Sequence, residues 1–188
     1  MKFLIACLGN IGDEYANTRH NIGFIIADAL AQAAETSFKT ERYADVCKIR
    51  YRGKIMVVIK PATYMNLSGK AIRYWQEKEN IPNDRTLVIT DDIALPTGTL
   101  RMRKKGGSGG HNGLENTIIT LGTEFFPRLR VGLGNDFSRG YQSDFVLGKW
   151  TREEEEVMIP KIKTAITMVQ SFMVRGIDQT MTDYNRKP

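Results

Sequence analysis

Cysteine and histidine are scarce in this chain of 188 residues, which contains two of each. Cys7 and Cys47 lie far apart in apolar segments and do not have CxxC spacing. We therefore expect two buried thiols in a protein of a reducing compartment.

Long hydrophobic runs are also absent, because no apolar stretch approaches the length that spans a membrane. Only three residues precede the run Leu4-Ile5-Ala6-Cys7, which is too few for the charged and apolar regions of a signal peptide. These features predict a cytoplasmic protein that does not associate with a membrane.

Two nucleotide-binding motifs are missing as well. The phosphate-binding pattern G-x-x-x-x-G-K-[ST] does not occur, and Gly9-Asn10-Ile11-Gly12 is not the full G-x-G-x-x-G fingerprint. The sequence therefore gives little support to a nucleotide cofactor.

The chain does have the composition of one folded, basic domain. Hydrophobic residues make up 41%, which is ordinary for a packed core, and we predict a single domain over residues 1–188. The 27 Lys and Arg residues exceed the 21 Asp and Glu residues, which gives a formal net charge of +6. This charge permits a polyanionic partner but does not require one.

Apolar patterns alternate between strands and helices. A continuous apolar run at 3–8 predicts a buried strand, and a helical pattern from Ile22 to about Ala34 follows it, with Asn21 at the N-cap position. Further strands are predicted at 43–51, 54–60, 86–90, 99–104 and 128–134. Further helices are predicted after Lys70 to about Asn80 and near 114–121. We therefore predict an α/β fold, with a twisted, mixed, largely parallel sheet covered by helices on both faces.

Several local signals refine this prediction. Arg52-Gly53 is typical of a tight hairpin turn, and Ser68 can cap the helix that follows it in the chain. Residues 135–144 form a polar loop, which is a candidate lid. The last helix begins at about Thr151, where Thr151 and Glu154 form a capping box.

Two features of the C-terminal part limit the last helix. Pro160 should kink it or begin a new first turn, because proline lacks the N–H group of a helix interior. The tail after Gly176 is basic, and we expect it to fray.

Polar residues follow several of the predicted strands. His20, Asn10, Asn66, Asp91 and Asn112 should share the carboxyl edge of the sheet, where ligands bind in open α/β sheets. A carboxylate beside an imidazole fixes its tautomer and raises its basicity, as a general base requires. The pattern therefore indicates a hydrolase in which His20 is the reactive residue.

Other interpretations of these residues remain open. His20 and His111 could bind a metal with Asp91 or Asp92 as the third ligand, or each could merely cap a helix. The segment 106–110 matches the G-x-S-x-G pattern of a serine nucleophile at Ser108, although only His111 follows it in the chain.

A basic strip runs into the same glycine-rich segment. It consists of Arg101, Arg103, Lys104 and Lys105, and Arg128 and Arg130 accompany the next strand. Such a run can be a solvated face or can bind a nucleic-acid backbone. Aromatic residues are not interleaved with it, so the sequence does not indicate stacking on single-stranded bases.

A series of motifs follows in order along the chain, at 9–12 with Tyr15, 18–23, 63–69, 91–92 before 95–96, 106–114, 128–132 and 145–149. Together they resemble the bacterial peptidyl-tRNA hydrolase family along essentially the whole chain. Several motifs in the right order are more specific than any one of them.

The resemblance implies cleavage of the ester that joins a peptide to the terminal ribose of tRNA, which recycles tRNA from aborted translation. It implies that His20 is the catalytic base and that Asp91 orients it. It assigns substrate binding to Asn10, Tyr15, Met65, Asn66 and Asn112, and tRNA phosphate binding to Arg103 and Arg130. It also implies a monomer without cofactor, metal or obligatory protein partner.

The chain departs from the family pattern at four positions. Ile11 stands where proline is usual, which should loosen that turn, and Arg103 stands where relatives often carry lysine, which keeps the charge. Thr90 and Asp92 flank the acid where the family often has histidine and glutamate. Some relatives of the family are non-catalytic RNA-binding proteins, so the fold alone would not establish hydrolysis.

Overall fold

A seven-stranded mixed sheet forms the centre of the molecule, whose computed structural model describes residues 1–186. The strands are β1 (Lys2–Cys7), β2 (Lys39–Glu41), β3 (Ala44–Tyr51), β4 (Lys54–Pro61), β5 (Thr86–Asp92), β6 (Leu100–Arg103) and β7 (Arg128–Gly132). Across the sheet they lie in the order β2-β3-β4-β1-β5-β7-β6.

The centre of the sheet is parallel and its two margins are antiparallel. β1 pairs in parallel with β4 and β5, and β5 pairs in parallel with β7. β3 pairs with its two neighbours in the antiparallel sense, as β6 does with β7. The carboxyl ends of the four central strands therefore meet at one edge of the sheet.

Helices cover both faces. They are α1 (Ile22–Ala33), α2 (Ser68–Glu79), α3 (Asn112–Leu121), α4 (Gln142–Val146), α5 (Arg152–Arg175) and α6 (Ile177–Tyr184). Core residues of α1 and α5 pack on one face, and those of α2 and α3 pack on the other. The predicted class, a single α/β domain with a mixed, largely parallel sheet, is confirmed.

β1 shows why the central strands are almost wholly apolar. Phe3, Ile5 and Cys7 join the core beneath α1 and α5, whereas Leu4 and Ala6 join the core beneath α2 and α3. Successive side chains of a strand point to opposite faces, so a strand covered on both faces needs an apolar residue at every position.

Two local predictions are confirmed. Arg52 and Gly53 have φ angles of 47° and 76°, which is the left-handed geometry of a two-residue hairpin turn. At the start of α5, Thr151 Oγ1 accepts from the Glu154 amide at 3.2 Å, and the Glu154 carboxylate accepts from the Thr151 amide at 2.8 Å.

The prediction of a fraying tail after Gly176 is wrong for 177–184, which form α6. This helix packs against the sheet through Ile177, Met181 and Tyr184. Just beyond it, the Asn185 side chain donates to the Met102 carbonyl at 2.8 Å and accepts from the Met102 amide at 2.9 Å. The amide group thereby pairs with the free edge of β6, as a neighbouring strand would. The tail residues 187–188 lie outside the described part.

Other predicted boundaries also need correction. Residues 142–144 of the predicted loop belong to α4, and α5 continues through Pro160 without a new first turn. Leu67, and not Ser68 as predicted, occupies the N-cap position of α2, and the Ser68 hydroxyl donates to the Met65 carbonyl at 2.7 Å. The short polar strand β2 had no apolar pattern that would predict it. Within 1–186, no helix is long and apolar enough to span a membrane.

Candidate active site

A cavity of about 280 Å³ opens at the carboxyl ends of β1 and β5. Its walls come from distant parts of the chain, including the loop after β1, the turn before α2 and the start of α3. The structure thus brings together most of the predicted site. The predicted residues that line the cavity are Asn10, His20, Met65, Asn66, Asp91 and Asn112.

Asp91 lies between the two histidines of the chain. Its Oδ2 is 2.8 Å from His20 Nδ1, and its Oδ1 is 2.7 Å from His111 Nε2. The two imidazole rings are 5.1 Å apart between centroids. Asp91 is the penultimate residue of β5 and only 4% exposed, so the strand itself fixes the position of the carboxylate.

The tautomer of His111 follows from its second contact. Its Nδ1 accepts hydrogen bonds from the backbone amides of Gly113 at 3.1 Å and Leu114 at 3.2 Å, which caps α3. A backbone N–H can only donate, so this nitrogen carries a lone pair and the proton sits on Nε2. His111 therefore donates to Asp91. The interpretation of His111 as a helix cap is correct, and its other ring nitrogen also donates to Asp91.

The charge of Asp91 is held by its partners. Burial alone would raise the pKa of this carboxyl, but the charge attraction and hydrogen bonds of His111 and His20 outweigh burial and keep the pKa well below its usual range. An ionised carboxylate only accepts hydrogen bonds, so His20 must donate from Nδ1. In the neutral form of His20 the lone pair is then on Nε2, which has no hydrogen-bond partner among residues 1–186.

Asn21 and Asn10 form a second fixed unit beside His20. The Asn21 side chain accepts from the Asn10 amide at 2.8 Å and donates to the Asn10 carbonyl at 2.9 Å. Asn21 occupies the predicted N-cap position of α1, but its side chain does not cap the helix, because it is already paired with Asn10. The side-chain oxygen Oδ1 of Asn10 accepts from the Met65 backbone amide at 2.8 Å, so the side-chain NH₂ group of Asn10 stays free to donate.

The other predicted substrate residues differ in exposure. Met65 is buried, and a Cβ atom at Gly113 would lie only 2.6 Å from its sulfur, so α3 packs directly against this wall. Asn66 and Asn112 are exposed at the cavity. The prediction that Tyr15 binds substrate is not supported by its position, because Tyr15 does not line the cavity. Its backbone carbonyl instead stabilises the turn before His20 by accepting from the Thr18 hydroxyl at 2.9 Å.

Arg19 is a buried structural residue, only 8% exposed, whose contacts could not be read from the sequence. Its guanidinium donates to both oxygens of Glu154 at 3.1 Å and to the Phe145 carbonyl at 2.9 Å, and it lies 4.3 Å from the centre of the Phe145 ring. The Arg19 amide also donates to the Gly148 carbonyl at 3.0 Å. Arg19 therefore ties the turn that carries His20 to α4 and to the start of α5.

A groove adjoins the cavity on the side of β6 and β7. Arg103, Lys105 and Arg130 line it, and Arg130 forms an ion pair with Asp92. Arg103 and Lys105 form no ion pair with any residue in 1–186. Arg128, which the sequence grouped with Arg130 on the next strand, does not face the groove as a free cation. It is buried and donates to the carbonyls of Gly106, Gly107, Glu124 and Phe126.

The alternative chemistries fare differently in this arrangement. Ligand atoms of His20, Asp91 and His111 lie within 4.8 Å of one another, so this trio could hold a metal only if both hydrogen bonds to Asp91 were given up. Ser108 lines the cavity, but its hydroxyl accepts only from the Gly110 amide at 3.3 Å within 1–186. Nothing in that contact activates a nucleophile, which would need a neighbouring base.

Comparisons with known proteins point to one family. The sequence pattern of the peptidyl-tRNA hydrolase family matches residues 4–188. Peptidyl-tRNA hydrolases of Phocaeicola vulgatus and Porphyromonas gingivalis are 52% and 49% identical to the chain, cover 100% and 98% of it, and are themselves covered in full. The crystal structure of peptidyl-tRNA hydrolase from Acinetobacter baumannii matches with a TM-score of 0.92 at 32% identity, over 97% of this chain and 94% of that one.

The depressed pKa of Asp91 predicts a specific acid response. The ionised carboxylate should contribute its full stabilisation above about pH 4, where an ordinary aspartate ionises, and lose it as the pH falls from there towards its own lower pKa. The difference in Tm between the wild type and Asp91→Asn should therefore stay constant from about pH 5 to 4 and shrink below that. Thermal melts across this range measure it. Asp136→Asn, at an exposed carboxylate, controls for the loss of one charge, and a difference already gone at about pH 4.5 would contradict the depressed pKa.

The Arg19 contacts predict a large loss of stability in Arg19→Ala, because Glu154 would keep a carboxylate that is only 17% exposed without its cation. We expect the free energy of unfolding to fall by about 2–3 kcal/mol, at or below the lower end of the range for a buried pair that loses one partner. Arg152→Ala is the matched control, since its pair with Glu156 is 87% and 68% exposed and should contribute about 0.5 kcal/mol or less. Urea unfolding distinguishes the two variants, and equal losses would refute the anchoring role of Arg19.

Proposed function

The chain belongs to the peptidyl-tRNA hydrolase family, whose members cleave the ester between a peptide and tRNA, and we propose that it does so with water activated by His20 and Asp91. The observation that carries this proposal is the pair of hydrogen bonds to Asp91, which leaves a lone pair on His20 Nε2 within the cavity. A general base needs that combination of a fixed tautomer and a free nitrogen.

In the proposed reaction, His20 Nε2 takes a proton from water while the water oxygen attacks the ester carbonyl carbon. The tetrahedral intermediate then collapses, the bond from the carbonyl carbon to the ribose oxygen breaks, and the imidazolium returns the proton to that oxygen. The products are a peptide acid and a tRNA with a free terminal hydroxyl. The ionised Asp91 stabilises the imidazolium between these two steps.

His111 acts as a positioning residue in this scheme. Its Nδ1 accepts from the Gly113 and Leu114 amides, which fixes the orientation of the ring and directs Nε2 at Asp91. It donates to one oxygen of Asp91 and leaves the other for His20. Two donors on one carboxylate restrict its rotation, which in turn restricts the imidazole of His20.

Side-chain amides supply the stabilisation of the developing oxyanion. Asn10 is oriented for this because the Met65 amide occupies its oxygen and leaves its NH₂ group to donate. Asn66 and Asn112 offer further amides at the cavity surface. One such donor is typically associated with a rate factor of about 10²–10³.

The remaining assignments concern the two ends of the substrate. We assign the peptide end to Met65, and the phosphates near the tRNA terminus to Arg103 and Arg130. Tyr15 is not included, because it does not line the cavity. Residues 135–144, the last three of which belong to α4, form the proposed lid. In this function the protein is a cytoplasmic monomer that needs no cofactor, metal or protein partner, and it recycles tRNA from aborted translation.

A direct test uses N-acetyl-aminoacyl-tRNA and free aminoacyl-tRNA as paired substrates. The wild type should cleave the N-blocked ester selectively, and His20→Ala should lower the single-turnover rate by about 10²–10⁴, the usual contribution of a general base. The variant leaves one oxygen of the buried Asp91 without its donor, so we expect a lower Tm, and circular dichroism at the assay temperature should show that it remains folded.

Two further measurements separate this mechanism from its rivals. Ser108→Ala is the matched control in the same cavity and should keep its rate within a few-fold, whereas a serine nucleophile predicts its complete loss. Activity that a chelator abolishes would favour the metal interpretation. A protein that retains tRNA but never releases the peptide would be the non-catalytic RNA-binding alternative, and near-normal turnover in His20→Ala would remove His20 from the mechanism.

The basic groove predicts a change in salt dependence. Arg103→Ala should raise KM and reduce the slope of log affinity against log salt by about one, as the loss of one phosphate contact does. Arg130→Ala should raise KM further, because it also leaves the Asp92 carboxylate unpaired beside the phosphates. Adding Asp92→Asn to Arg130→Ala should recover part of that loss. Arg73→Ala, at an exposed residue of α2 that lines neither cavity nor groove, is the control. Unchanged slopes in both groove variants would contradict phosphate binding here.

A further inference from the structure

We propose that Phe125 and Lys105 form a stacking platform at the rim of the groove, on which a base near the ester-bearing end of the tRNA rests. The inference extends the proposed function, since it depends on RNA lying in that groove. It adds an aromatic contact to a surface on which the sequence indicated only cations.

The exposed aromatic ring of Phe125 is not explained by packing in the core. Its side chain is 63% exposed, whereas the adjacent Phe126 is completely buried in the core under α2 and α3. The ammonium group of Lys105 lies 4.9 Å from the centre of the Phe125 ring. The ring and the cation are 20 positions apart in the chain, and the fold alone makes them neighbours.

The segments that carry the pair are fixed to each other. Arg128 Nη1 donates to the Gly106 carbonyl at 2.6 Å, and its Nη2 donates to the Glu124 carbonyl at 2.9 Å. The Gly106 amide also donates to the Glu124 carbonyl at 3.3 Å, and the Phe125 amide donates to Thr123 Oγ1 at 3.0 Å. The backbone beneath the platform is therefore ordered before RNA binds, which lowers the entropic cost of using it.

The location connects the platform to the reaction. Lys105 and Gly106 line the groove beside Arg103 and Arg130, and the groove shares Ser108 and Gly109 with the catalytic cavity. An RNA strand whose terminal ester occupies the cavity would place its nearby phosphates in the groove. A base attached to that backbone would then reach the rim, where Phe125 lies.

The chemistry of the pair favours RNA over other occupants. A base has a flat π face that stacks on an aromatic ring, and its phosphate pairs with a cation. Lys105 and Arg103, neither of which has an ion pair within 1–186, complement that charge. Ile119 offers a contrast, because it is 69% exposed on α3 but is aliphatic and has no π face on which a base could stack.

Binding of deacylated tRNA to the full-length protein tests the platform. Phe125→Ala and Phe125→Leu should each weaken binding roughly 5- to 100-fold, the range for removing one base–aromatic stack, while Phe125→Trp should bind at least as well as the wild type. The tryptophan of Phe125→Trp should also lose fluorescence when tRNA is added. Lys105→Ala should lower the salt slope by about one, but Phe125→Ala should leave that slope unchanged, because it removes no charge.

Ile119→Ala is the control for the loss of an exposed apolar side chain and should bind as the wild type does. Wild-type affinity in Phe125→Ala would overturn the platform, and so would rescue by Leu, since leucine offers apolar area without a π face. A change in oligomeric state in Phe125→Ala would assign the ring to self-association and overturn the proposal too. Single-turnover cleavage by Ile119→Ala should equal that of the wild type. Failure of the platform leaves the proposed hydrolysis standing, whereas a wild type that does not cleave N-acetyl-aminoacyl-tRNA would refute the hydrolysis itself.

Discussion

The carboxylate of Asp91 is the group on which the rest of the site depends. A charge that is 96% removed from solvent would cost several kcal/mol if it had no partners, and here both oxygens accept from imidazoles. Those imidazoles come from the loop after β1 and from the first turn of α3. The pairing of β1 with β5 and the docking of α3 must therefore both be in register before Asp91 can be buried as an anion. The fold and the chemistry share this one requirement.

The same requirement explains why several hydrogen bonds fix the chain segments that surround the site. Asn21 holds the backbone of Asn10 on both sides, and Arg19 holds the turn of His20 to α4 and α5. Glu154 accepts from Arg19 and also closes the capping box of α5, so the first turn of this long helix is joined to the turn that carries His20. A loop that carries a catalytic base gains fixed geometry from such contacts, because its own backbone has no strand or long helix to hold it.

Much of this could be predicted from the sequence, for a physical reason. The apolar runs of β1 and β5 indicate buried parallel strands, and the carboxyl ends of such strands meet at one edge, so Asn10, His20 and Asp91 had to converge. The bond between His111 and Asp91 could not be predicted, since it depends on how α3 docks. Nor could the burial of Arg128, because a run of cations does not show which side chain turns inward to bind carbonyls. The polar strand β2 and helix α6 depend on tertiary pairing and leave only weak periodicity in the sequence.

The last two residues of β5 connect the base to the RNA groove. Successive strand residues point to opposite faces, so Asp91 follows the side of Leu87 and Ile89, while Asp92 lies on the side of Val88. Asp91 is thereby placed to contact the histidines, and Asp92 is placed to contact Arg130 on the neighbouring strand β7. Asp92 borders both the cavity and the groove, so it sets where the guanidinium of Arg130 stands relative to the reacting ester. A one-residue slip of β5 would exchange the two faces, and the base and the phosphate contact would be lost together.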